Sequence, residues 1–177
     1  MAAQPTPAQL VGQRVKRRED PRLIRGQATY VDDMKLTGML HAAFKRGEIA
    51  HGKIVKIDKR AAEAMPGVEL VLTGAELKEL LAAPMPVISP LPTPAHWPLT
   101  PDKVRYVGDP VAVVVASDRY SARDAVDAIE VELEELPAVV DPELALEGKP
   151  TLVHDDFPNN TAIARIAGGT DADRATG

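Results

Sequence analysis

Seven prolines fall within the eighteen residues of PMPVISPLPTPAHWPLTP, at 84–101. Proline lacks a backbone N–H and fixes φ, so this stretch cannot be a helix or a central strand. It reads as a long, stiffened loop that carries the single tryptophan, Trp97. Regular structure must therefore be built from short elements on either side of it.

On the N-terminal side, residues 1–20 read as an extended arm. Pro5 and Pro7 discourage helix there, and Arg14, Lys16, Arg17 and Arg18 keep the arm solvated or docked on an acidic partner. From Leu23 the pattern is β-like. Thr29-Tyr30-Val31 reads as a strand ending at Asp32-Asp33, followed by strands at 39–44, 52–57 and 68–72. Asp58 is placed to cap a short helix over 59–65, which Pro66-Gly67 stops. Thr73-Gly74-Ala75-Glu76 has the form of a capping box, opening a helix with Leu77, Leu80 and Leu81 on its apolar side.

Beyond the proline stretch, strands at 103–107 and 111–116 are joined by Gly108-Asp109-Pro110. Ser117 or Asp118 can cap a helix to about Ala128, with Tyr120, Ala122, Ala125, Val126 and Ile129 as its apolar stripe. Val131 and Leu133 alternate with Glu130, Glu132 and Glu134, a strand with one wet face. Asp141-Pro142 is a cap with proline at the first helical position, opening a helix that ends near Gly148. Residues 150–177 are loop-like, with one candidate strand at 161–166. The closing AGGTDADRATG lacks the residues to bury itself. Short strands mixed with short helices predict an α+β domain, too irregular in its crossings for a doubly wound dinucleotide fold.

With 45% hydrophobic but only 3% aromatic residues, the core must be aliphatic. The net charge of −5 is dispersed, which argues against nucleic acid as a partner. No apolar run approaches the ~20 residues of a membrane span and no secretory signal core opens the chain, so a cytoplasmic location is expected. The absence of cysteine excludes disulfides, thiolate zinc sites and iron–sulfur clusters on this chain.

Candidate chemistry is sparse. His41, His51, His96 and His154 show no metal-ligand spacing on one element. His41 reads as a strand histidine, and His51 and His96 as structural or solvated. The pairs Asp32-Asp33 and Asp155-Asp156 have the oxygens a hard cation wants, but such pairs also accept turn amides. Ser89, Ser117 and Ser121 have no histidine beside them in sequence. In RYVGDPVAVVVA (105–116), Gly108-Asp109 opens onto Pro110, which has no amide hydrogen, and then onto a β-branched strand rather than a helix N-terminus. That order suits a structural corner and not a phosphate cradle. The expected set of catalytic, cofactor-binding and metal-ligating residues on this chain is therefore empty.

Several ordered stretches resemble one family. They are Arg18-Glu19-Asp20-x-Arg22-Leu23; Gly26-x-x-x-Tyr30-x-Asp32-Asp33; Gly38-Met39-Leu40-His41-Ala42; and Ala50-His51-Gly52-x-Ile54. Pro66-Gly67-Val68, Leu72-Thr73-Gly74, Val104 to Ala112, Leu136 to Asp141, Val153-His154-Asp155 and Asn159-Asn160 continue the series. Over about residues 11–165 the chain is similar to the opening of the molybdopterin-binding large subunit of the xanthine dehydrogenase, aldehyde oxidase and carbon monoxide dehydrogenase family. The resemblance implies an α/β hammerhead fold over 21–148, preceded by the arm at 1–20 and followed by an exit segment at 149–177.

It further implies a complex with a molybdopterin-type molybdenum cofactor, [2Fe-2S] clusters and FAD. Its partners would be a molybdopterin-binding chain, an iron–sulfur subunit and an FAD subunit. The family's cofactor-contacting loops and base glutamate follow the hammerhead, so this chain is expected to be a non-catalytic subunit or fragment. Two departures from the family pattern are Arg46-Gly47-Glu48, where Arg-Ser-Pro is common, and Ala28, where a second glycine is common. The competing expectations are a stand-alone hammerhead scaffold without a redox partner, and a metal site built on Asp32, Asp33 or His51.

Overall fold

The structure is a computed structural model and describes residues 12, 14–86, 93–147, 151–157, 160 and 161. These fall into two units, divided between Met39 and Leu40.

In the first unit, helix α1 (Asp20–Ile24) occupies the place where the β-like pattern was expected to begin. Asp20 and Pro21 in its first turn are favourable N-terminal residues, and Arg17–Asp20 and Arg22–Glu19 ion pairs at 3.2 Å brace it. Gly26, at φ +67°, ends it. The expected strand at Thr29-Tyr30-Val31 is instead extended chain running into a single 3₁₀ turn, Val31–Asp33. The Asp33 carboxylate accepts the Tyr30 amide at 2.9 Å, a local bond that competes with strand pairing. Ala28 does not adopt a positive φ; among the described non-glycine residues only Asn160 does.

The second unit holds two antiparallel three-stranded sheets. One has the order β1 (His41–Arg46), β5 (Pro110–Ala116), β3 (Val68–Thr73); the other has β4 (Lys103–Val104), β2 (Gly52–Asp58), β6 (Glu130–Glu135). The apolar run of RYVGDPVAVVVA thus becomes the central strand β5, with Val111, Ala112, Val114 and Ala116 fully buried. Helices α2 (Arg60–Glu63) and α4 (Arg119–Asp127) pack with it. Ala62, Val71, Ala112, Val114, Ala125, Val126 and Ile129 form one aliphatic core, as the scarcity of aromatics requires.

Helix α4 is capped by Asp118, whose carboxylate accepts the Tyr120 and Ser121 amides. Ala122, Ala125, Val126 and Ile129 follow the i, i+3, i+4, i+7 rule and are buried. Tyr120 does not belong to that stripe and is 81% exposed. Two residues before Ala122, it lies about 200° around the helix from it.

The capping box forms: the Thr73 hydroxyl accepts the Glu76 amide and Glu76 Oε2 accepts the Thr73 amide at 2.8 Å, opening α3 (Gly74–Leu80). Leu77 is half-buried, but Leu80 and Leu81 are exposed, because the helix ends after two turns and Leu81 is already extended. Lys59, which precedes α2, reaches the Val71 carbonyl at 2.9 Å, Glu76 at 2.7 Å and Glu63 at 3.0 Å, joining α2, β3 and α3 at one ammonium.

In the second sheet, Val131 and Leu133 are half-buried while the glutamates of β6 are exposed, as the alternation predicts. A register shift between Ile54 and Lys56 lets Ile54 and Ile57 both turn inward despite their odd spacing, leaving Val55 exposed. The helix expected over 59–65 is shorter, Arg60–Glu63, although Asp58 Oδ1 does accept the Arg60 amide. Helix α5 (Pro142–Leu146) starts at its Asp141 cap. The strand expected at 161–166 and the closing AGGTDADRATG lie, beyond Thr161, outside the described residues.

Candidate functional site

The Gly108-Asp109 corner is the most tightly tied polar feature in the second unit. Strand β4 stops at Val104, short of the expected Val107, because Arg105–Gly108 turns away. Gly108 sits at φ +93°, a region that favours glycine. Its amide donates to the Gly47 carbonyl and the Gly47 amide donates to the Asp109 carbonyl, both at 2.8 Å. The Arg46 guanidinium donates to the Gly108 carbonyl at 2.8 Å. Gly47, the first departure from the family pattern, has a packing reason: a Cβ there would meet Val104 Cγ1 at 2.7 Å.

Asp109 is only 7% exposed. Its carboxylate accepts the Arg105 amide at 3.0 Å. Burial raises its pKa above the usual carboxylate range, and the Arg105 amide and charge only partly offset this. A raised folded-state value means that proton binding favours the folded chain, so stability is lost as pH rises from the unfolded value towards the folded one. Asp109→Asn is therefore expected to keep the turn within ~1 kcal/mol at pH 7, with a melting temperature less dependent on pH above about 4. Asp109→Ala strands the Arg105 amide and should cost roughly 1–3 kcal/mol in urea unfolding. Equal losses in the two variants would contradict this account.

Arg105 extends the same corner to the exit segment. Its guanidinium donates to the Lys103 carbonyl at 2.8 Å, the Thr100 hydroxyl at 3.2 Å and the Val153 carbonyl at 3.2 Å, and it pairs with Asp102. Lys103 binds Asp155 at 2.9 Å and holds its pKa below the ordinary range. Asn160 closes the loop by accepting the Val153 amide and donating to the Thr151 carbonyl. Residues 151–157, expected to be unpacked, are in their described part fastened to the sheet.

The sequence-level candidates do not converge. His41 starts β1, His96 is exposed, and His154 meets Phe157 edge-on with centroids 6.4 Å apart. Burial, then Arg105 and Lys103, lowers the His154 pKa. His51 is not solvated but 2% exposed, with Nδ1 2.9 Å from the Pro137 carbonyl and Nε2 buried without a partner. Asp33 serves its own turn and Asp155 pairs with Lys103, while Asp32 and Asp156 are exposed. The Ser121 hydroxyl donates to Asp118, the Ser117 amide donates to the Gly67 carbonyl, and Ser89 lies outside the described residues. Among the described residues no three His, Cys, Asp or Glu side chains are grouped to hold a metal. No described helix is long and apolar enough to cross a membrane.

The Lys59 and Arg105 hubs escaped the sequence reading. Their partners lie far apart in the chain, and a lone basic residue carries no local pattern.

Two antiparallel three-stranded sheets with short helices define a small α+β domain whose strongest polar ties bind its own corners and termini. The model of the α/β hammerhead domain of aldehyde oxidase and xanthine dehydrogenase matches residues 25–137. The chain belongs to that family. It is 45% identical over 147 residues to the carbon monoxide dehydrogenase large chain of Hydrogenophaga pseudoflava, covering 83% of this chain and 18% of that one. It is 39% identical over 173 residues to the nicotine 6-hydroxylase large subunit of Paenarthrobacter nicotinovorans, covering 97% and 21%. The crystal structure of a Cu,Mo-CO dehydrogenase in its carbon monoxide reduced state superposes with a TM-score of 0.73 at 44% identity, over 82% of this chain and 18% of that chain. The chain thus spans about a fifth of the length of these relatives.

Proposed function

We propose that this chain is the hammerhead part, over 21–148, of a molybdenum hydroxylase, and that it is a non-catalytic subunit or fragment bracing the molybdopterin-binding domains. The observation that carries this reading is the hammerhead match over 25–137. The relatives' names supply the chemistry: one is a carbon monoxide dehydrogenase and another hydroxylates nicotine. The substrate class is accordingly carbon monoxide, an aldehyde or an N-heterocycle, oxidised with oxygen derived from water.

The residues described here do not fit the cofactors themselves. Iron–sulfur clusters require thiolates, which this sequence lacks. The described histidines and paired aspartates are dispersed or engaged in turns and ion pairs. No step is therefore assigned to this chain. Oxygen transfer and two-electron uptake belong to a molybdenum centre held elsewhere, with iron–sulfur and FAD subunits as electron partners in the cytoplasm. The chain's own work is positional: the Arg105 and Lys103 ties set the path on which residues 151–157 leave the sheet.

Purification of the native complex tests the proposal. Metal analysis and identification of co-purifying chains are expected to find molybdenum and a molybdopterin-binding chain or domain. A molybdenum-free preparation, or this chain migrating alone, would leave the scaffold reading instead.

A further inference from the structure

Each sheet of this chain has one face that points away from the aliphatic core, and the two are built from opposite chemistry. Strand β6 puts Glu130, Glu132 and Glu134 on its outward side, all exposed. The sheet β1–β5–β3 is different. Its inner face carries Ala43, Val71, Ala112 and Val114 against α2 and α4. Its outer face carries two cross-strand rungs, Ala42–Val115–Leu70 and Phe44–Val113–Leu72.

Residues opposite one another in antiparallel strands share a face, so these six side chains form one patch. All six are apolar. Phe44 is 42% and Leu70 45% exposed, Ala42 is exposed, and Leu72, Val113 and Val115 are half-buried. A sheet face that meets water normally alternates to polar residues, as β6 does. A contiguous aliphatic and aromatic face on a central strand and both its neighbours marks a surface that another body covers.

We propose that this face seats the molybdopterin-binding part of the enzyme, the domains or chain that the proposed function places next to this one; the inference rests on that reading. Two observations favour this occupant over a second copy. With strands about 4.8 Å apart and two residues advancing about 6.8 Å, the patch measures on the order of 14 by 14 Å, or ~200 Å². A stable dimer of small domains buries about 800 Å² on each side, so self-association through this face alone is too small. The relatives, by contrast, carry about four fifths of their length outside the matched region, a body large enough to cover this face and continue over its surroundings. Arg46, whose guanidinium lies 5.8 Å from the Phe44 ring, adds a cation at the rim, to which an acidic side chain of that body can pair.

The test is a photo-crosslinking phenylalanine analogue placed at Phe44 and, separately, at Leu70 in the native complex, with the products sequenced by mass spectrometry. Crosslinks from either site into peptides of the molybdopterin-binding part are expected. Crosslinks only to a second copy of this chain, only to an iron–sulfur or FAD chain, or no crosslinks from either site would overturn the inference. Because both side chains are partly solvent-exposed, a thermal melt within a few degrees of wild type confirms that the substituted protein is folded. If the complex contains no molybdopterin-binding part at all, the proposed function fails. If it contains one that crosslinks elsewhere, only the assignment of this face fails.

Discussion

Replacing Gly74 with alanine is expected to destabilise the domain by about 3 kcal/mol, although alanine is the better helix former by ~1 kcal/mol. Gly74 opens α3 directly after the Thr73 cap. A Cβ at this position would overlap the Thr100 carbonyl group and lie 2.9 Å from the Pro101 nitrogen. These are backbone atoms of a segment with little room to yield. Leu99 is 1% exposed, the Thr100 amide donates to the Pro110 carbonyl at 2.7 Å, and the Thr100 hydroxyl donates to the Lys103 carbonyl at 2.9 Å. Pushing Thr100 aside would break the ties that join the end of the proline stretch to β5 and β4. Urea denaturation of wild type and Gly74→Ala checks this through the midpoint at constant slope. A variant as stable as wild type would show that residues 99–101 can move, and the close approach would lose its significance.

The same position shows where sequence reading stops. The capping box Thr73-Gly74-Ala75-Glu76 was legible because its four residues interact locally. So were the Asp118 and Asp141 caps, the wet face of β6 and the corner role of Gly108. What was not legible depends on partners distant in sequence. The proline stretch reads as loop, and its described part is loop, yet Leu99 and Thr100 at its end are buried. Thr29-Tyr30-Val31 has strand propensity, but the Asp33 carboxylate closes a turn on it. Leu80 and Leu81 suggest an apolar helix face, but the helix is too short to bury them. The candidate site was legible only as a scarcity of chemistry. The histidines and aspartates belong to separate elements, and what gathers them or keeps them apart is tertiary.

His51 carries the second large effect. It precedes β2, and its ring is one of the largest wholly buried side chains. Since a carbonyl can only accept, the 2.9 Å contact with the Pro137 carbonyl makes Nδ1 the protonated nitrogen of a neutral ring. The His51 carbonyl in turn accepts the Leu136 amide at 3.0 Å, so one residue secures the end of β6 through both backbone and side chain.

His51→Ala should empty a ring-sized space and leave the Pro137 carbonyl without its donor, a combined loss of about 3 kcal/mol. Such a loss is a large part of the ~5–15 kcal/mol that stabilises a typical domain. Nε2, buried without a partner, is the only atom through which His51 could serve the competing metal reading. The two accounts separate in one melting experiment. If the ring is a packing and hydrogen-bonding element, a chelator leaves the wild-type melting temperature unchanged while His51→Ala lowers it. If Nε2 holds a metal, the chelator reproduces much of the variant's loss. The first outcome would make Ala50-His51-Gly52 a packing motif: a buried histidine that ties two strands, beside a glycine whose Cβ would otherwise press on the Glu134 carbonyl.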